Sequence, residues 1–292
     1  MVTVMTSRFE AFLRRKEQMA REAVIPGYTT VDASPEDGLV AIGNHWSERL
    51  FDGPFYRSES PAADGLPVVS LIFVQSRDGN TGAADPATLG GGATDFHLVY
   101  EGLSRVDADA VMAGSATARG VERVFSVWHP ELVALRLARG KTRHPAQVVL
   151  TNKGDLRFDD ALFFHEPVLR VFVITRTDAV ERIRARVSGR PWIDVIDAGE
   201  PVSLEHALRQ LRSRGVEVLS CVGGQVTATA LIRERLVRDI YLTTSAIAGG
   251  KPDTPYYIGP PVAGYRILLK SGREAETGVT FEHLRLNRRF ED

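Results

Sequence analysis

Two adjacent glycines follow directly on a short apolar run in the stretch VEVLSCVGGQVTATALIRERL. The apolar run predicts a buried strand and the residues from Gln225 onwards predict a helix, so Gly223 and Gly224 form most of the connection. Because glycine carries no Cβ, a ligand can approach the backbone closely there. The free N–H groups at the start of the helix would favour an anion such as a phosphate. A tight turn without a ligand is the alternative, and the pair alone does not decide between the two.

Two further turns follow predicted strands. In DADAVMAGSATARG the strand ends at Gly114 and Ser115, and the hydroxyl of Thr117 could contact the same anion. In VVSLIFVQSRDGNTG an apolar run leads into a Ser-Arg-Asp-Gly turn at residues 76–79. Because the carboxyl ends of parallel strands meet at one edge of a sheet, we expect the three turns to lie close together.

The elements that would position these turns alternate regularly beyond residue 66. Apolar runs alternate with amphipathic segments, which is the pattern of an α/β fold. The final segment alternates in YRILLK and FEHLRLN around SGREAETG and predicts an antiparallel pair. We therefore expect a mixed, mostly parallel central sheet with antiparallel C-terminal strands. The predicted strands cover residues 68–74, 110–112, 147–150, 168–174, 193–196, 216–222 and 240–244.

The first 66 residues differ in composition from the rest. Residues 7–23 predict a helix with its apolar side chains on one side. Residues 26–67 are rich in Gly, Pro, Asp and Ser with scattered aromatic residues, which predicts an irregular arm. We therefore divide the chain into an N-terminal helix and arm, residues 1–66, and one domain, residues 67–292.

The overall composition argues against several classes of function. With 36 basic and 37 acidic residues the formal net charge is -1, so we expect neither a nucleic acid nor a membrane as partner. The longest apolar runs fall far below the roughly 20 residues of a membrane span, and we expect a cytoplasmic protein. The single cysteine, Cys221, lies in an apolar run and predicts core filling. The seven histidines show no metal-ligand spacing, so we expect no metal site.

In order and spacing, the three turns resemble those of the pyrimidine reductase domain of riboflavin biosynthesis, in the dihydrofolate reductase-like superfamily. SRDGN is similar to the family's Ser-Leu-Asp-Gly-Lys turn, with Arg77 in place of leucine. LSRVDADAVMAGSAT is similar to its Leu-Arg-x-x-x-Asp-Ala motif, with Gly114 and Thr117 in register. CVGGQVTATALIRERLVRDIYL resembles its Glu-Gly-Gly turn, although Val222 replaces the glutamate. The resemblance covers about three-quarters of the chain and implies a three-layer α/β/α fold.

The resemblance implies an NADPH-dependent reductase that transfers hydride to a pyrimidine or pteridine-type heterocycle. The Ser-Arg-Asp-Gly turn would contact the substrate through Ser76, Asp78 and Asn80. Asp78 is the catalytic candidate, as a proton relay, and a simple turn is the alternative for Asp-Gly. The implied cofactor-binding residues are Gly114, Ser115, Thr117, Thr151, Asn152, Lys153, Val222, Gly223, Gly224, Gln225 and Val226.

The resemblance also implies a homodimer and a small-molecule substrate. The sequence contains no pair of His-x-Glu and Pro-Cys-x-x-Cys motifs, so we expect a reductase without the zinc deaminase. In LGGGATDF three glycines precede a helix that begins near Thr94, which predicts either a mobile flap or a flexible linker.

Two departures from the family leave the substrate open. Val222 precedes the glycine pair, and ARGVERVFSVWHP replaces the family's Asp-Pro and arginine after Thr117. A reductase of the same fold that acts on dihydrofolate or a specialised metabolite is therefore an alternative. A non-catalytic, nucleotide-binding dimer module is another, because folds do not fix function.

Overall fold

The computed structural model describes residues 6–59, 64–83, 86–273 and 278–287. Its strands are β1 Tyr28–Ala33, β2 Leu39–Ile42, β3 Phe55–Ser58, β4 Val68–Gln75, β5 Ala110–Gly114, β6 Ala146–Leu150, β7 Val171–Thr175, β8 Ile193–Asp197, β9 Val218–Cys221, β10 Asp239–Thr244, β11 Gly264–Gly272 and β12 Thr280–Leu286. Its α-helices are α1 Ser7–Glu22, α2 His45–Phe51, α3 Ser104–Val106, α4 Ser115–Ala118, α5 Pro130–Ala138, α6 Thr177–Arg186, α7 Leu204–Ser213 and α8 Gln225–Arg233. A π-helix covers Thr94–Leu103, and short 3-10 turns cover Pro86–Leu89 and Leu162–Phe164.

Ten strands form the main sheet, in the order β1-β11-β12-β10-β4-β9-β5-β6-β7-β8. The pairs from β10 to β8 are all parallel. β12 runs antiparallel to both β10 and β11. The predicted mixed sheet with antiparallel C-terminal strands is therefore confirmed, although the predicted strands 168–174 and 216–222 are shorter in the structure, at Val171–Thr175 and Val218–Cys221.

Successive residues of β5 point to opposite faces of the sheet. Ala110 and Met112 enter the apolar cluster that contains Leu208 of α7. Val111 and Ala113 enter the cluster on the other face, which α1 and α6 also cover. Helices on both faces make a three-layer α/β/α fold, as predicted.

The segment before residue 67 is more regular than the irregular arm we predicted. β1 pairs with β11 at the edge of the main sheet, and β2 and β3 form an antiparallel two-stranded sheet. A capping box starts α2, because the side chain of Asn44 accepts from the Ser47 N–H and the Ser47 side chain accepts from the Asn44 N–H. The glycines and prolines of this segment therefore punctuate short regular elements, and the prediction of an irregular arm was wrong.

A buried carboxylate fastens this segment to the main sheet. Asp239, the first residue of β10, accepts hydrogen bonds from the backbone N–H and the hydroxyl of Ser58, each at 2.9 Å. The Nε2 atom of His283 lies 2.8 Å from the same carboxylate. Burial alone would raise the pKa of Asp239, but His283 and Ser58 hold it below its usual value. Asp239 therefore stays ionised inside the protein, and these partners stabilise its charge.

Replacing Ser58 with alanine should lower the free energy of unfolding by about 2 kcal/mol, because a buried charged acceptor loses a hydrogen-bond donor. Urea unfolding measures the change. Ser213→Ala is the control, because Ser213 is exposed and its hydroxyl bonds only to the Gln210 carbonyl nearby. The control should shift stability by less than about 0.5 kcal/mol. Equal losses in the two variants would show that Ser58 does not anchor the segment.

Candidate functional site

The glycine turn between β9 and α8 needs glycine at its first position. Gly223 has φ +91, a conformation that residues with a side chain rarely adopt, and the Gly223-Gly224 peptide bond is cis. A Cβ atom at Gly223 would lie 2.9 Å from Cζ of Phe73 on β4. The backbone conformation and the Phe73 ring therefore both exclude a larger residue.

The turn after β5 lies directly against the glycine turn, as predicted. The Gly114 N–H donates to the Gly223 carbonyl at 2.8 Å. A Cβ atom at Gly114 would lie 2.7 Å from Oγ1 of Thr227, which belongs to the first turn of α8. A Cβ atom at Gly224 would lie 3.5 Å from Oγ1 of Thr117. The carboxyl ends of β5 and β9 therefore bring two glycine-containing turns and a threonine hydroxyl to one place.

A cavity of about 350 Å³ opens over these turns, and we call it the inner cavity. Residues 81–83, from the loop after β4, line one part of its wall. Phe73, Tyr100 and Arg123 line other parts. Val222 also lines it, although its side chain is buried in the core. The inner cavity thus adjoins the turns after β5 and β9 and the residues that follow the Ser-Arg-Asp-Gly turn.

The start of α8 suits a phosphate. Within the described residues no side chain caps this helix, so its first N–H groups keep their capacity to donate. Gly224 stands at the N-cap and adds no side chain in front of them. Gln225 is held in place, because its Nε2 atom donates to the Pro255 carbonyl at 2.7 Å. An uncapped helix start with bare backbone beside it fits the pyrophosphate of a dinucleotide.

The other predicted cofactor residues do not line the inner cavity. Thr151, Asn152 and Lys153 follow β6, the parallel neighbour of β5. Thr151 is buried, and its hydroxyl accepts a hydrogen bond within its own turn at 3.0 Å. Ser115 begins α4, while Val226 is 82% exposed. Their contact with a cofactor stays a prediction.

The three predicted substrate residues join two loops. The Ser76 hydroxyl and the Asn80 amide both donate to the Gly249 carbonyl, at 2.9 and 3.2 Å. The exposed Asp78 carboxylate accepts from the Gly249 N–H at 3.1 Å, and Asn80 Oδ1 accepts from the Thr254 N–H at 3.3 Å. These bonds hold the loop after β4 against residues 249–254. Residues 81–83 of the loop then face the inner cavity, and direct substrate contact by the three residues stays a prediction.

Removing the Asn80 side chain should loosen the joined loops. In Asn80→Ala the Thr254 amide should exchange with deuterium about fivefold faster, because one net hydrogen bond is worth about 1 kcal/mol and each 1.4 kcal/mol is a factor of ten. Hydrogen exchange followed by NMR reports this amide. Asn152→Ala is the control, since Asn152 is an exposed asparagine in another loop. Unchanged exchange at Thr254 in the Asn80 variant would contradict the proposed joining role.

Two side chains that line the inner cavity, and one buried carboxyl, were not predicted from the sequence. Tyr100, on the π-helix, and Arg123, in the segment after α4, line it. Asp95, in the first turn of the same π-helix, is buried, and the hydroxyl of Thr243 donates to its Oδ1 atom at 2.5 Å. Burial raises the pKa of Asp95 to about 6 despite that hydrogen bond. In the sequence, an acidic residue that is buried at a helix start cannot be told from an exposed capping residue.

Cys221 fills the core, as predicted. It is fully buried, and burial raises the pKa of its thiol to about 12, so the thiolate needed for nucleophilic attack does not form near neutral pH. Among the described residues no group of three or more His, Cys, Asp and Glu side chains is placed to hold a metal ion. In the same part of the chain, no helix combines the length and the apolar character that crossing a membrane requires.

The chain is similar to known proteins in both sequence and structure. Residues 67–280 match the RibD C-terminal domain family. A pyrimidine reductase-like protein from Corynebacterium diphtheriae has a similar structure, with a TM-score of 0.64 and 21% identity over 76% of this chain and 92% of that one. No curated protein matches the sequence.

Two further solved structures share the fold. One is the diaminohydroxyphosphoribosylaminopyrimidine deaminase/5-amino-6-(5-phosphoribosylamino)uracil reductase of Thermotoga maritima, with a TM-score of 0.57 and 18% identity over 76% of this chain and 57% of that one. The other is the riboflavin biosynthesis reductase of Saccharomyces cerevisiae, with a TM-score of 0.50 and 16% identity over 79% of this chain and 93% of that one. At these identities the similarity establishes the fold.

Proposed function

This chain belongs to the RibD C-terminal domain family, and from that premise we propose that it is an NADPH-dependent reductase of a pyrimidine-type substrate. The activity would resemble that of 5-amino-6-(5-phosphoribosylamino)uracil reductase. The observation that carries the proposal is the Gly223-Gly224 turn, whose bare backbone meets Gly114 at the edge of the inner cavity. The family match and the shared fold support it.

The cofactor would lie along the carboxyl edge of the sheet. The first N–H groups of α8 and the Thr117 hydroxyl would bind its pyrophosphate. Thr151, Asn152 and Lys153, at the end of the neighbouring strand β6, would contact the phosphate that distinguishes NADPH from NADH. The bound nicotinamide supplies the hydride, and the protein positions the two reactants.

The inner cavity would hold the heterocycle of the substrate. Phe73 and Tyr100 provide aromatic walls, which suit a flat ring. The loop after β4 would cover the ring with residues 81–83, held in place by Ser76 and Asn80. Asp78 lies exposed on that loop and stays the candidate for relaying a proton to the reduced product. We include in the proposal that the enzyme works as a cytoplasmic homodimer.

Turnover with two substrates tests the proposal. Purified protein is mixed with NADPH and either the ribosylaminopyrimidine phosphate or dihydrofolate, and NADPH oxidation is followed by absorbance. We expect oxidation with the pyrimidine substrate. Oxidation with dihydrofolate alone would move the activity to the alternative substrate. In parallel, NADPH should protect the protein against thermal unfolding. Protection without oxidation of any substrate would favour a nucleotide-binding module, and no protection would overturn the cofactor site.

A further inference from the structure

A second cavity, of about 240 Å³, adjoins the inner one, and we call it the outer cavity. It is lined by helix α1, the π-helix and residues 122–125. Only Tyr100 and Arg123, among the described residues, line both cavities. Helix α1 precedes residue 67, where the family match begins, so one wall of the outer cavity lies outside the family domain.

Four aromatic side chains line the outer cavity, beside five charged ones. Phe12 of α1, Phe96 and Tyr100 of the π-helix, and Phe125 all line it. The rings of Phe96 and Tyr100 are stacked, with centroids 6.1 Å apart and an angle of 28° between planes. Flat unsaturated groups pack favourably against such rings. The walls therefore suit an aromatic or heteroaromatic ring.

Among the charged side chains that line the outer cavity, the cations outnumber the anions by one. Lys16 Nζ lies 2.9 Å from both carboxylate oxygens of Glu101, and Arg15 pairs with Glu122 at 2.7 Å. Arg123, in contrast, makes no hydrogen bond and no ion pair within the described part of the chain. A guanidinium without a partner at the junction of two cavities offers a bidentate site for a carboxylate or phosphate.

We propose that the outer cavity binds a negatively charged aromatic group, with its ring between Phe12, Phe96 and Tyr100 and its charge on Arg123. Helix α1 thereby acts as a specificity element added to the family domain. The preference of the cavity for an aromatic anion rests on its own walls and charge.

Calorimetric titrations with three probes test the inference: phenyl phosphate, inorganic phosphate and phenol. Phenyl phosphate should bind at least tenfold more tightly than either of the others, because only it has both ring and charge. Arg123→Gln should weaken phenyl phosphate binding about tenfold or more, since hydrogen bonds to charged groups contribute about 1.5–3 kcal/mol. Phe96→Leu should weaken it about two- to tenfold and leave inorganic phosphate unaffected, because ring contacts contribute about 0.5–1.5 kcal/mol.

Phe96 is informative because it lines the outer cavity and not the inner one. Arg14→Gln is the control for a lost charge, since the Arg14 side chain on α1 is 74% exposed and lines neither cavity. Equal binding of phenyl phosphate to the Phe96→Leu variant and the unmodified protein would overturn the inference, as would equal effects of the two arginine variants.

NADPH titrated into the same samples separates this inference from the proposed function. NADPH binding without phenyl phosphate binding would overturn the outer site alone. Binding of phenyl phosphate that depends on Phe96, without binding of NADPH, would support the outer site and remove the reductase function.

Discussion

Gly224→Ala is expected to weaken NADPH binding about ten- to a hundredfold while the protein keeps its stability. The added methyl would lie 3.5 Å from Thr117 Oγ1, an ordinary contact, and the backbone there is extended, so the fold tolerates it. The same methyl would stand in front of the first N–H groups of α8, where the pyrophosphate should approach. Overpacking by one methyl costs about 1–3 kcal/mol, and each 1.4 kcal/mol is tenfold in affinity. Fluorescence titration of NADPH measures the loss.

Gly215→Ala is the matched control, with the opposite expected pattern. Gly215 has φ +90 and open space where its Cβ would be, and it precedes the far end of β9. An alanine there should cost about 1 kcal/mol of stability through backbone strain and leave NADPH affinity unchanged. If Gly224→Ala binds NADPH as tightly as the unmodified protein, the glycine pair is only a turn.

Asp95→Asn is expected to stabilise the protein at pH 8 and to have little effect near pH 4. The folded-state pKa of Asp95 is about 6, above the usual 3.8, so folding favours the protonated carboxyl. Stability is therefore lost as the pH rises from 3.8 through about 6, and the full penalty is present above that range. At about 1.36 kcal/mol per pKa unit the penalty reaches up to about 3 kcal/mol, which an uncharged asparagine avoids. Urea unfolding at both pH values measures the difference.

Asp197→Asn provides a control of opposite sign. Hydrogen bonds from the Gly199 N–H and the Thr177 hydroxyl lower the pKa of Asp197, so its charge stabilises the fold above the unfolded-state value and this contribution is lost as the pH falls through the lowered pKa. Its asparagine variant should be less stable at pH 8. Equal stability of Asp95→Asn and the unmodified protein at pH 8 would show that Asp95 carries no burial penalty.

The arrangement of the sheet could be predicted because it follows from local pattern. Short apolar runs that end in Gly114 and Gly223 indicate strands followed by turns. Parallel strands must bring their carboxyl ends to one edge of the sheet. The alternation in residues 265–287 similarly indicated the antiparallel pair. These features depend on neighbours in sequence, so a single sequence contains them.

What the sequence did not reveal depends on contacts between distant segments. Lys16 meets Glu101, and Ser58 meets Asp239, across separations that no periodicity encodes. The glycine and proline content before residue 67 suggested irregularity, whereas pairing of β1 with β11 supplies order from outside the segment. Nothing in the sequence separates Arg123 from the other arginines, and only the fold shows that it lies between two cavities.

Transfer of deuterium tests the central claim most directly. The protein is incubated with NADPH that carries deuterium at the transferred position and with the ribosylaminopyrimidine phosphate, and the product is weighed by mass spectrometry. If the protein is a reductase that binds its cofactor at the Gly223-Gly224 turn, the product should gain one deuterium from the cofactor. An unreduced substrate, in a sample where NADPH is bound, would contradict the proposal that the protein reduces this pyrimidine.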